Sequence, residues 1–169
     1  MKKKRQPIIG VMGPGNPGKP EIVEFAENLG RKIAEQKWIL LTGGRKAGVM
    51  DAASKGAFEA GGTVLGILPD ENRNRMSEYV TIPILTGMGH ARNVMNILTT
   101  DVIVICGMGA GTASEAALAI KNSTPVIFSM VYEVSLSHFA ELTGKDLLIA
   151  ESVDEVIQCI RDILISCQL

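Results

Sequence analysis

One stretch near the middle of the chain constrains the fold most strongly: an unbroken apolar run, three glycines and the start of an alanine-rich segment. The run spans Val102–Cys106 and is rich in β-branched residues, which is typical of a strand buried on both faces of a parallel sheet. Gly107, Gly109 and Gly111 follow, and Thr112 comes next. Because the first N–H groups of a helix are unpaired and its dipole is positive there, a strand that passes through glycines into a helix predicts an anion site.

Units of the same kind recur along the chain, so strands alternate with helices. This alternation predicts an α/β domain with a doubly wound, mainly parallel sheet flanked by helices, and with ligands at the carboxyl ends of the strands. A length of 169 residues suits a single domain, which we place at 7–169, after a basic N-terminal tail at 1–6. The run that contains Pro83 is expected either to lie at a sheet edge or to be irregular. Apolar runs at 8–12, 38–42, 63–68, 80–85, 125–128 and 147–150 alternate with helical patterns at 20–33, 49–60 and 153–164.

Charge, cysteine usage and hydropathy limit the function classes. A formal net charge of −1 disfavours a nucleic-acid partner, which would require a basic face. Cys106, Cys159 and Cys167 form no disulfide pattern and no zinc-ligand spacing, so we expect reduced thiols, a cytoplasmic setting and no metal site of the protein's own. No apolar run approaches the roughly 20 residues of a membrane span, so no membrane partner is expected.

The loop after the first apolar run matches the pattern G-x-G-x-x-G over 13–18, beginning with Gly13, Pro14 and Gly15. Taken alone the match is weak, because Pro14 and Pro17 lack the N–H donors that a pyrophosphate would need. A dinucleotide site also requires an acidic residue at the end of the second strand, and this chain has none there. The loop is therefore a candidate ligand contact, but NAD is not the expected ligand.

The second strand ends instead in Gly43, Gly44 and Arg45. A guanidinium presents a planar fork of donors that suits a phosphate or another oxyanion. Because the carboxyl ends of parallel strands lie on one rim of a sheet, we expect this loop to converge with the 13–18 and 107–112 loops on one ligand. The alternative is a tight turn followed by a solvated arginine.

Two charged residues near these loops need partners. Arg92 and Asn93 lie at the expected start of a helix, where an arginine opposes the helix dipole and requires an anion, either Glu115 or a ligand. Glu115 lies three residues after Thr112. That pair matches a capping box, which does not exclude contact between Thr112 and a ligand, and Glu115 is either part of this cap or a chemical group of the site. The residues alone leave these alternatives open.

Four segments resemble the molybdenum cofactor carrier proteins. They are Leu-Thr-Gly-Gly-Arg-x-x-Gly-Val-Met at 41–50, Ala-x-x-Ala-Gly-Gly-Thr-x-x-Gly-x-Leu-Pro at 57–69, Ala-Arg-Asn at 91–93 and Gly-Met-Gly-x-Gly-Thr-Ala-Ser-Glu at 107–115. The resemblance covers about 8–164 and implies a Rossmann-like fold. The same Rossmann-like superfamily includes the LOG-type cytokinin-activating phosphoribohydrolases, often labelled lysine decarboxylase-like.

The carrier resemblance implies a protein that binds, stores and protects molybdenum cofactor, a pterin dithiolene with a terminal phosphate, for transfer to molybdoenzymes. It also implies molybdoenzymes or cofactor-insertion proteins as partners, a homotetramer or a dimer, and no catalysis. Molybdate or phosphate would be simpler occupants of the same site. The candidate binding residues are Gly13, Pro14, Gly15, Gly43, Gly44, Arg45, Arg92, Asn93, Gly107, Met108, Gly109, Ala110, Gly111, Thr112 and Glu115.

The ribohydrolase resemblance implies a different function, hydrolysis of the N-glycosidic bond of a nucleoside 5′-monophosphate, with Arg92 and Glu115 as the catalytic pair. Those enzymes have a lysine after the arginine and a Pro-Gly-Gly-x-Gly-Thr loop. This chain departs from that pattern at Asn93, Cys106 and Met108. Carriers have Arg-Asn or Arg-Asp and Gly-Met-Gly-x-Gly-Thr, as here. The carrier function is therefore the favoured prediction, and the ribohydrolase is the alternative.

Overall fold

The chain is built around one parallel sheet. A computed structural model describes residues 5–17 and 19–167. The described strands form one sheet in the order β4-β3-β2-β1-β5-β6-β7, in which every neighbouring pair is parallel. The predicted α/β fold with a doubly wound parallel sheet is confirmed. The strands are β1 (Ile8–Met12), β2 (Ile39–Thr42), β3 (Val64–Leu68), β4 (Ile82–Leu85), β5 (Val102–Cys106), β6 (Val126–Ser129) and β7 (Leu148–Ile149).

Helices cover both faces of this sheet. Within the described residues they are α1 (Pro20–Glu35), α2 (Gly48–Glu59), α3 (Asn93–Thr99), α4 (Ala110–Lys121), α5 (Glu133–Thr143) and α6 (Val153–Ser166), with a 3-10 turn, Gly89–Arg92, before α3. Helices α1, α2 and α6 pack on one face and α3, α4 and α5 on the other, each around its own set of buried aliphatic side chains. None of the described helices is long and apolar enough to cross a membrane.

Strand β5 lies in the middle of the sheet, and its alternate side chains point to opposite faces. Val104 and Cys106 pack on the α1 side, whereas Ile103 and Ile105 pack on the α4 side, and all four are fully buried. Burial on both faces explains why the run contains no polar residue. Because β1 pairs with both β2 and β5, the winding of the chain reverses between β1 and β5. This switch point opens a crevice at the carboxyl ends of the strands.

Helices α1 and α2 contact each other backbone to backbone. A Cβ on Gly30 would lie 2.0 Å from the carbonyl oxygen of Ala53, and a Cβ on Gly56 would lie 1.9 Å from the carbonyl oxygen of Glu27. Only glycine fits at either position. The first turn of α2 is in turn hydrogen-bonded to the loop after β1, so this packing helps to shape the rim on which the glycine loops meet.

Both edges of the sheet are short or interrupted. Strand β4 contains Pro83, which pairs in register with Gly66 of β3, and its edge position is the one that the proline predicts. Strand β7 at the other edge consists of two residues, Leu148 and Ile149. Neither edge presents a long regular row of backbone donors and acceptors.

The start of α4 differs from one of the two interpretations of its sequence. The helix begins at Ala110, with Gly109 as its N-cap residue and no side-chain cap. Thr112 is therefore the third residue of the helix rather than its cap, and the capping-box interpretation of Thr112 and Glu115 is wrong. The physical reason is that Gly109 adopts an extended backbone conformation, so the helix starts before the hydroxyl that suggested its boundary.

The segment before the first strand is tied to the start of β5 through Arg5. Arg5, which we place in the basic tail, donates from Nη1 to Oδ2 of Asp101 at 2.7 Å, and the Ile8 N–H donates to the same oxygen at 2.9 Å. Burial raises the pKa of Asp101, but the hydrogen bonds from Arg5 and Ile8 outweigh burial and hold this pKa below its usual value. Residues 1–4 of the expected tail lie outside the described residues.

Candidate functional site

A cavity of about 310 Å³ lies at the switch point, where the loops after β1, β2 and β5 meet. Its volume is within the range of small-molecule pockets, about 300–1,000 Å³. The three glycine loops converge as their positions at strand ends predict, and most of the candidate residues border the same space. The candidates that line the cavity are Gly13, Pro14, Gly15, Gly43, Arg45, Arg92, Asn93, Gly109, Ala110, Gly111, Thr112 and Glu115.

Three candidate residues do not line the cavity. Gly44 adopts a φ of +75°, and its N–H donates to the hydroxyl of Thr42. Gly107 has the same φ, and its N–H donates to the carbonyl oxygen of Ser129. Met108 packs against the buried side chains on the α4 side of the sheet. These residues shape the loops that carry the site rather than face the ligand space.

Other cavity residues carry weaker sequence signals. Pro69 directly follows β3, so the rule that places sites at strand ends would have found it. His90 is exposed and borders the cavity, although the sequence favours a surface histidine. Met12 and Met50 read as core residues of a strand and a helix, and no pattern distinguishes them. The cavity residues outside the candidate set are Met12, Ala47, Met50, Pro69, Gly89 and His90.

One wall of the cavity is the bare N-terminus of α4. Gly109, Ala110, Gly111 and Thr112 all line the space, and no side chain caps the helix. A Cβ on Gly111 would meet no atom within 4 Å, so the protein leaves open room beside this backbone. The first N–H groups of a 12-residue helix and the positive end of its dipole therefore face a space that can hold an oxyanion.

A second wall carries a buried arginine with spare donors. The side chain of Arg92 is 9% exposed. Its Nη1 donates a 2.5 Å hydrogen bond to Oδ1 of Asn93. The same Nη1 lies 3.4 Å from Oε1 of Glu115 and Nη2 lies 3.5 Å from the carbonyl oxygen of Gly43, both long for hydrogen bonds. Its buried Nε has no partner within the described residues. Burial lowers the pKa of Arg92, and Glu115 opposes this shift; the guanidinium remains protonated because its reference pKa is so high.

Glu115 lies beside Arg92 at the inner end of the cavity wall formed by α4. Its side chain is 8% exposed, and its Oε1 accepts a hydrogen bond of 2.8 Å from Nδ2 of Asn96. Burial raises the pKa of Glu115, whereas the Asn96 hydrogen bond and the Arg92 charge act in the opposite direction. Of the two alternative anion partners predicted for Arg92, Glu115 or a ligand, the structure places Glu115 within its reach.

Arg45 lines the cavity but already binds a carboxylate of the protein. Its Nε and Nη2 donate to the two oxygens of Asp70 at 3.0 and 3.1 Å, and Arg75 also donates to Asp70. The hydrogen bond from Arg45 holds the pKa of Asp70 below its usual range, although burial opposes the shift. The fork that the sequence assigns to an oxyanion is therefore occupied, and Arg45 is not a solvated arginine.

The family of the chain follows from comparison with family models. The model of the SLOG cluster4 family matches residues 6–157, which is most of the chain. The chain belongs to the SLOG cluster4 family. In this member of the family, the matched region includes all three glycine loops, Arg92 and Glu115.

Solved structures similar to this SLOG cluster4 protein include molybdenum cofactor proteins. The molybdenum cofactor binding protein from Rippkaea orientalis is 47% identical, with a TM-score of 0.92 over 96% of this chain and 99% of that one. The molybdenum cofactor carrier protein from Chlamydomonas reinhardtii is 42% identical, with a TM-score of 0.88 over 95% of this chain and 99% of that one. The resemblance that the sequence motifs indicate is confirmed.

A more distant relative belongs to the other branch that the motifs suggest. The cytokinin riboside 5′-monophosphate phosphoribohydrolase from Rhodococcoides fascians is 29% identical over 155 residues, which cover 80% of this chain and 75% of that protein. The SLOG cluster4 protein therefore has relatives of two kinds, one named for cofactor binding and one named for hydrolysis.

The thiol nearest to the site is buried in the core. Cys106 is fully buried on the α1 side of the sheet, and its Sγ lies 3.8 Å from the carbonyl oxygen of Ile22. Burial raises the pKa of Cys106 to about 12. The sequence favours an apolar filler at this position over a ligand contact, and the structure agrees. Among the described residues no group of three His, Cys, Asp or Glu side chains is arranged to hold a metal ion.

Proposed function

We propose that this protein binds molybdenum cofactor in the cavity at the switch point and holds it for later release, without transforming it. The observation that carries the proposal is the pairing of two anion-binding features on one cavity: the uncapped N-terminus of α4 and the buried, underused donors of Arg92. Support comes from the two similar structures of proteins that bind or carry this cofactor.

The residues suit the chemistry of that ligand. The terminal phosphate is an oxyanion, so the N–H groups of Ala110, Gly111 and Thr112 together with Arg92 are its proposed binding groups. The remaining walls are largely apolar or backbone, with Met12 and Met50 among them, and none of the cavity residues is Phe, Tyr or Trp. Binding through hydrogen bonds without aromatic stacking suits a ligand that must be released again.

The proposal extends to storage, protection and transfer. A cofactor enclosed between the glycine loops would be shielded from oxidation and delivered to molybdoenzymes or to cofactor-insertion proteins in the cytoplasm. Self-association as a homotetramer or a dimer is also proposed. Molybdate or phosphate would occupy the same site in the absence of the pterin.

Retention of the cofactor is the direct test. Purified protein is mixed with released molybdenum cofactor under anaerobic conditions and desalted, and the retained cofactor and its decay in air are measured by reconstitution of a cofactor-free molybdoenzyme. Retention with slowed decay is expected. Gly111→Leu should abolish both, because its side chain would fill the space beside the α4 N-terminus, whereas Asn28→Leu at an exposed position of α1 should not. A wild-type protein that neither retains the cofactor nor slows its decay contradicts the proposal.

A second candidate function rests on the adjacency of Arg92 and Glu115 in the cavity and on the ribohydrolase relative. In that case Glu115 would stabilise an oxocarbenium-like state or activate water, and Arg92 would orient the nucleotide. The assay is release of the base from AMP or N6-substituted AMP. Turnover that disappears in Glu115→Gln would favour hydrolysis, whereas no turnover at any substrate concentration would exclude it.

A further inference from the structure

Glu115 is unusual in a cavity that otherwise suits anions. It does not cap its helix, because α4 begins five residues earlier at Ala110. Its Oε1 takes both available partners, the amide of Asn96 at 2.8 Å and the more distant guanidinium of Arg92. Its Oε2 accepts no hydrogen bond within the described residues, and the residue lines the cavity. A nearly buried carboxyl therefore has one oxygen left for whatever enters the site.

Arg92 is the group for which Glu115 and an incoming anion must compete. The Arg92–Glu115 contact is long, at 3.4 Å, and the Nε of Arg92 has no partner within the described residues. An oxyanion at the α4 N-terminus would compete with Glu115 for the positively charged guanidinium of Arg92. An ionised Glu115 would then lie beside a second negative charge in a poorly hydrated space, which disfavours its charged form. Burial already raises the pKa of Glu115 in the protein without ligand.

We propose that Glu115 contacts the bound oxyanion in its protonated form, so that an anion and a proton enter the cavity together. The proton comes from the solvent, binds to Oε2 of Glu115, and the resulting O–H donates a hydrogen bond to an oxygen of the ligand. Release of the ligand returns the proton to the solvent. The inference rests on the proposed anion-binding function of the cavity and makes that binding weaker as the pH rises.

Other charged groups near Glu115 do not account for such a coupling. Arg92 is its only charged partner within hydrogen-bond distance among the described residues. Arg45, on the loop after β2, is paired with Asp70 from the loop after β3, and the latter carboxyl is held ionised. His90 also borders the cavity, on the 3-10 turn, and an imidazole is a second side chain that can bind a proton. The test must therefore separate Glu115 from His90.

The test uses the 169-residue chain and sulfate, a tetrahedral oxyanion that does not itself titrate near neutral pH. Binding is measured by isothermal titration calorimetry between pH 6 and 9 in buffers of different ionisation enthalpy, which gives the number of protons taken up. At pH values at which Glu115 is ionised in the protein without sulfate, we expect the wild type to take up close to one proton per sulfate. In the same pH range the affinity for sulfate should fall by up to about tenfold per pH unit. Glu115→Gln, which mimics the neutral acid, should still bind sulfate, with no uptake and a flat pH dependence. His90→Gln should retain the proton uptake, and the exposed Glu24→Gln should match the wild type in both uptake and affinity.

Several results would overturn the inference. They are no sulfate binding, no proton uptake by the wild type at any pH in this range, the same uptake in Glu115→Gln, or uptake that disappears in His90→Gln. The retention assay for molybdenum cofactor is independent of this outcome. A protein that retains the cofactor but takes up no proton with sulfate keeps the proposed function and loses only the role of Glu115.

Discussion

Nδ2 of Asn96 donates a 2.8 Å hydrogen bond to Oε1 of Glu115 and so joins α3 to α4 at the inner end of the cavity. Both residues are buried, and the bond fixes the carboxyl against which Arg92 lies. Helix α4, which carries Glu115, and α3, which directly follows Arg92, are thereby held in one arrangement before any ligand binds.

Replacing Asn96 is therefore expected to change stability in a pH-dependent way. The amide favours the ionised form of Glu115, so Asn96→Leu should raise the pKa of Glu115 further above its value of about 4.3 in an unfolded chain. A group whose pKa is raised on folding destabilises the folded state increasingly as pH rises through that interval. We expect a loss of about 1–3 kcal/mol in the free energy of unfolding at pH 8 and a smaller loss at pH 5, by urea denaturation. Asn28→Leu on α1 is the control. An equal loss at both pH values would contradict this prediction.

Arg92→Lys should weaken oxyanion binding although it conserves the charge. A lysine has no equivalent of Nε and cannot present a planar fork to an oxyanion. Loss of a charge-assisted hydrogen bond of this kind should raise the Kd for sulfate by about tenfold or more. Titration calorimetry with Arg31→Lys, a partly exposed change on α1, provides the matched control. Unchanged affinity in Arg92→Lys would show that the guanidinium does not contact the anion.

Asp70→Asn should have the opposite effect on affinity. The exchange preserves the shape of the side chain but removes the negative charge of Asp70 that is paired with Arg45. The positive charge of Arg45 is then no longer neutralised, so the positive potential at the cavity rises. We expect sulfate to bind about two- to fivefold more tightly at low ionic strength, with the difference disappearing at high salt. Asp146→Asn, at an exposed site outside this cavity, should leave Kd unchanged. Weaker binding in Asp70→Asn would mean that Asp70 is needed chiefly to position Arg45.

The glycines at the contact of α1 and α2 give a stability prediction independent of function. Gly56→Ala would place a Cβ 1.9 Å from the carbonyl oxygen of Glu27, so we expect a loss of about 1–3 kcal/mol or more from overpacking. Gly111→Ala is the matched control, because its Cβ meets no atom and alanine favours a helix, which should stabilise the protein by up to about 1 kcal/mol. Thermal unfolding of the two variants should shift in opposite directions.

Two of the three thiols, Cys167 and Cys106, should react at different rates. Cys167 is exposed, whereas Cys106 is fully buried, and burial raises the pKa of Cys106 to about 12. With a chromogenic disulfide reagent at pH 8, Cys167 is expected to react at once and Cys106 only after unfolding, since the thiolate is the reactive species. Prompt modification of Cys106, located by mass spectrometry of tryptic peptides, would show that the β5 end opens readily.

The sequence alone was sufficient for the fold because its determinants are local and periodic. The β-branched run at β5, the proline in β4 and the glycines after β1, β2 and β5 each specify a backbone state, and the topological rules for parallel sheets then place their loops on one rim. The same rules predict that the three glycine loops converge on one cavity. The prediction also includes Gly44, Gly107 and Met108, which lie behind the cavity wall, since a loop has an inner and an outer side that residue type does not reveal.

Pairing of the charged side chains could not be predicted in the same way. Arg45 and Asp70 are 25 residues apart, and Arg92 and Glu115 are 23 residues apart, so their contacts depend on how loops and helices pack. Nothing in the sequence predicts that Asn96 contacts Glu115, because an asparagine in a short helix is usually exposed to solvent. The chemistry of the site depends on these tertiary contacts, which only coordinates reveal.

The interrupted edges of the sheet restrict how copies of this chain can assemble. Pro83 removes an N–H from β4, and β7 is only two residues long, so neither border offers a template on which another molecule could continue the ladder. Association by strand addition, and with it open-ended fibre growth from the folded state, is disfavoured at both borders. We therefore expect a closed multimer to form through helical surfaces, and the way in which those helices meet would then widen or narrow the ligand entrance at the strand ends.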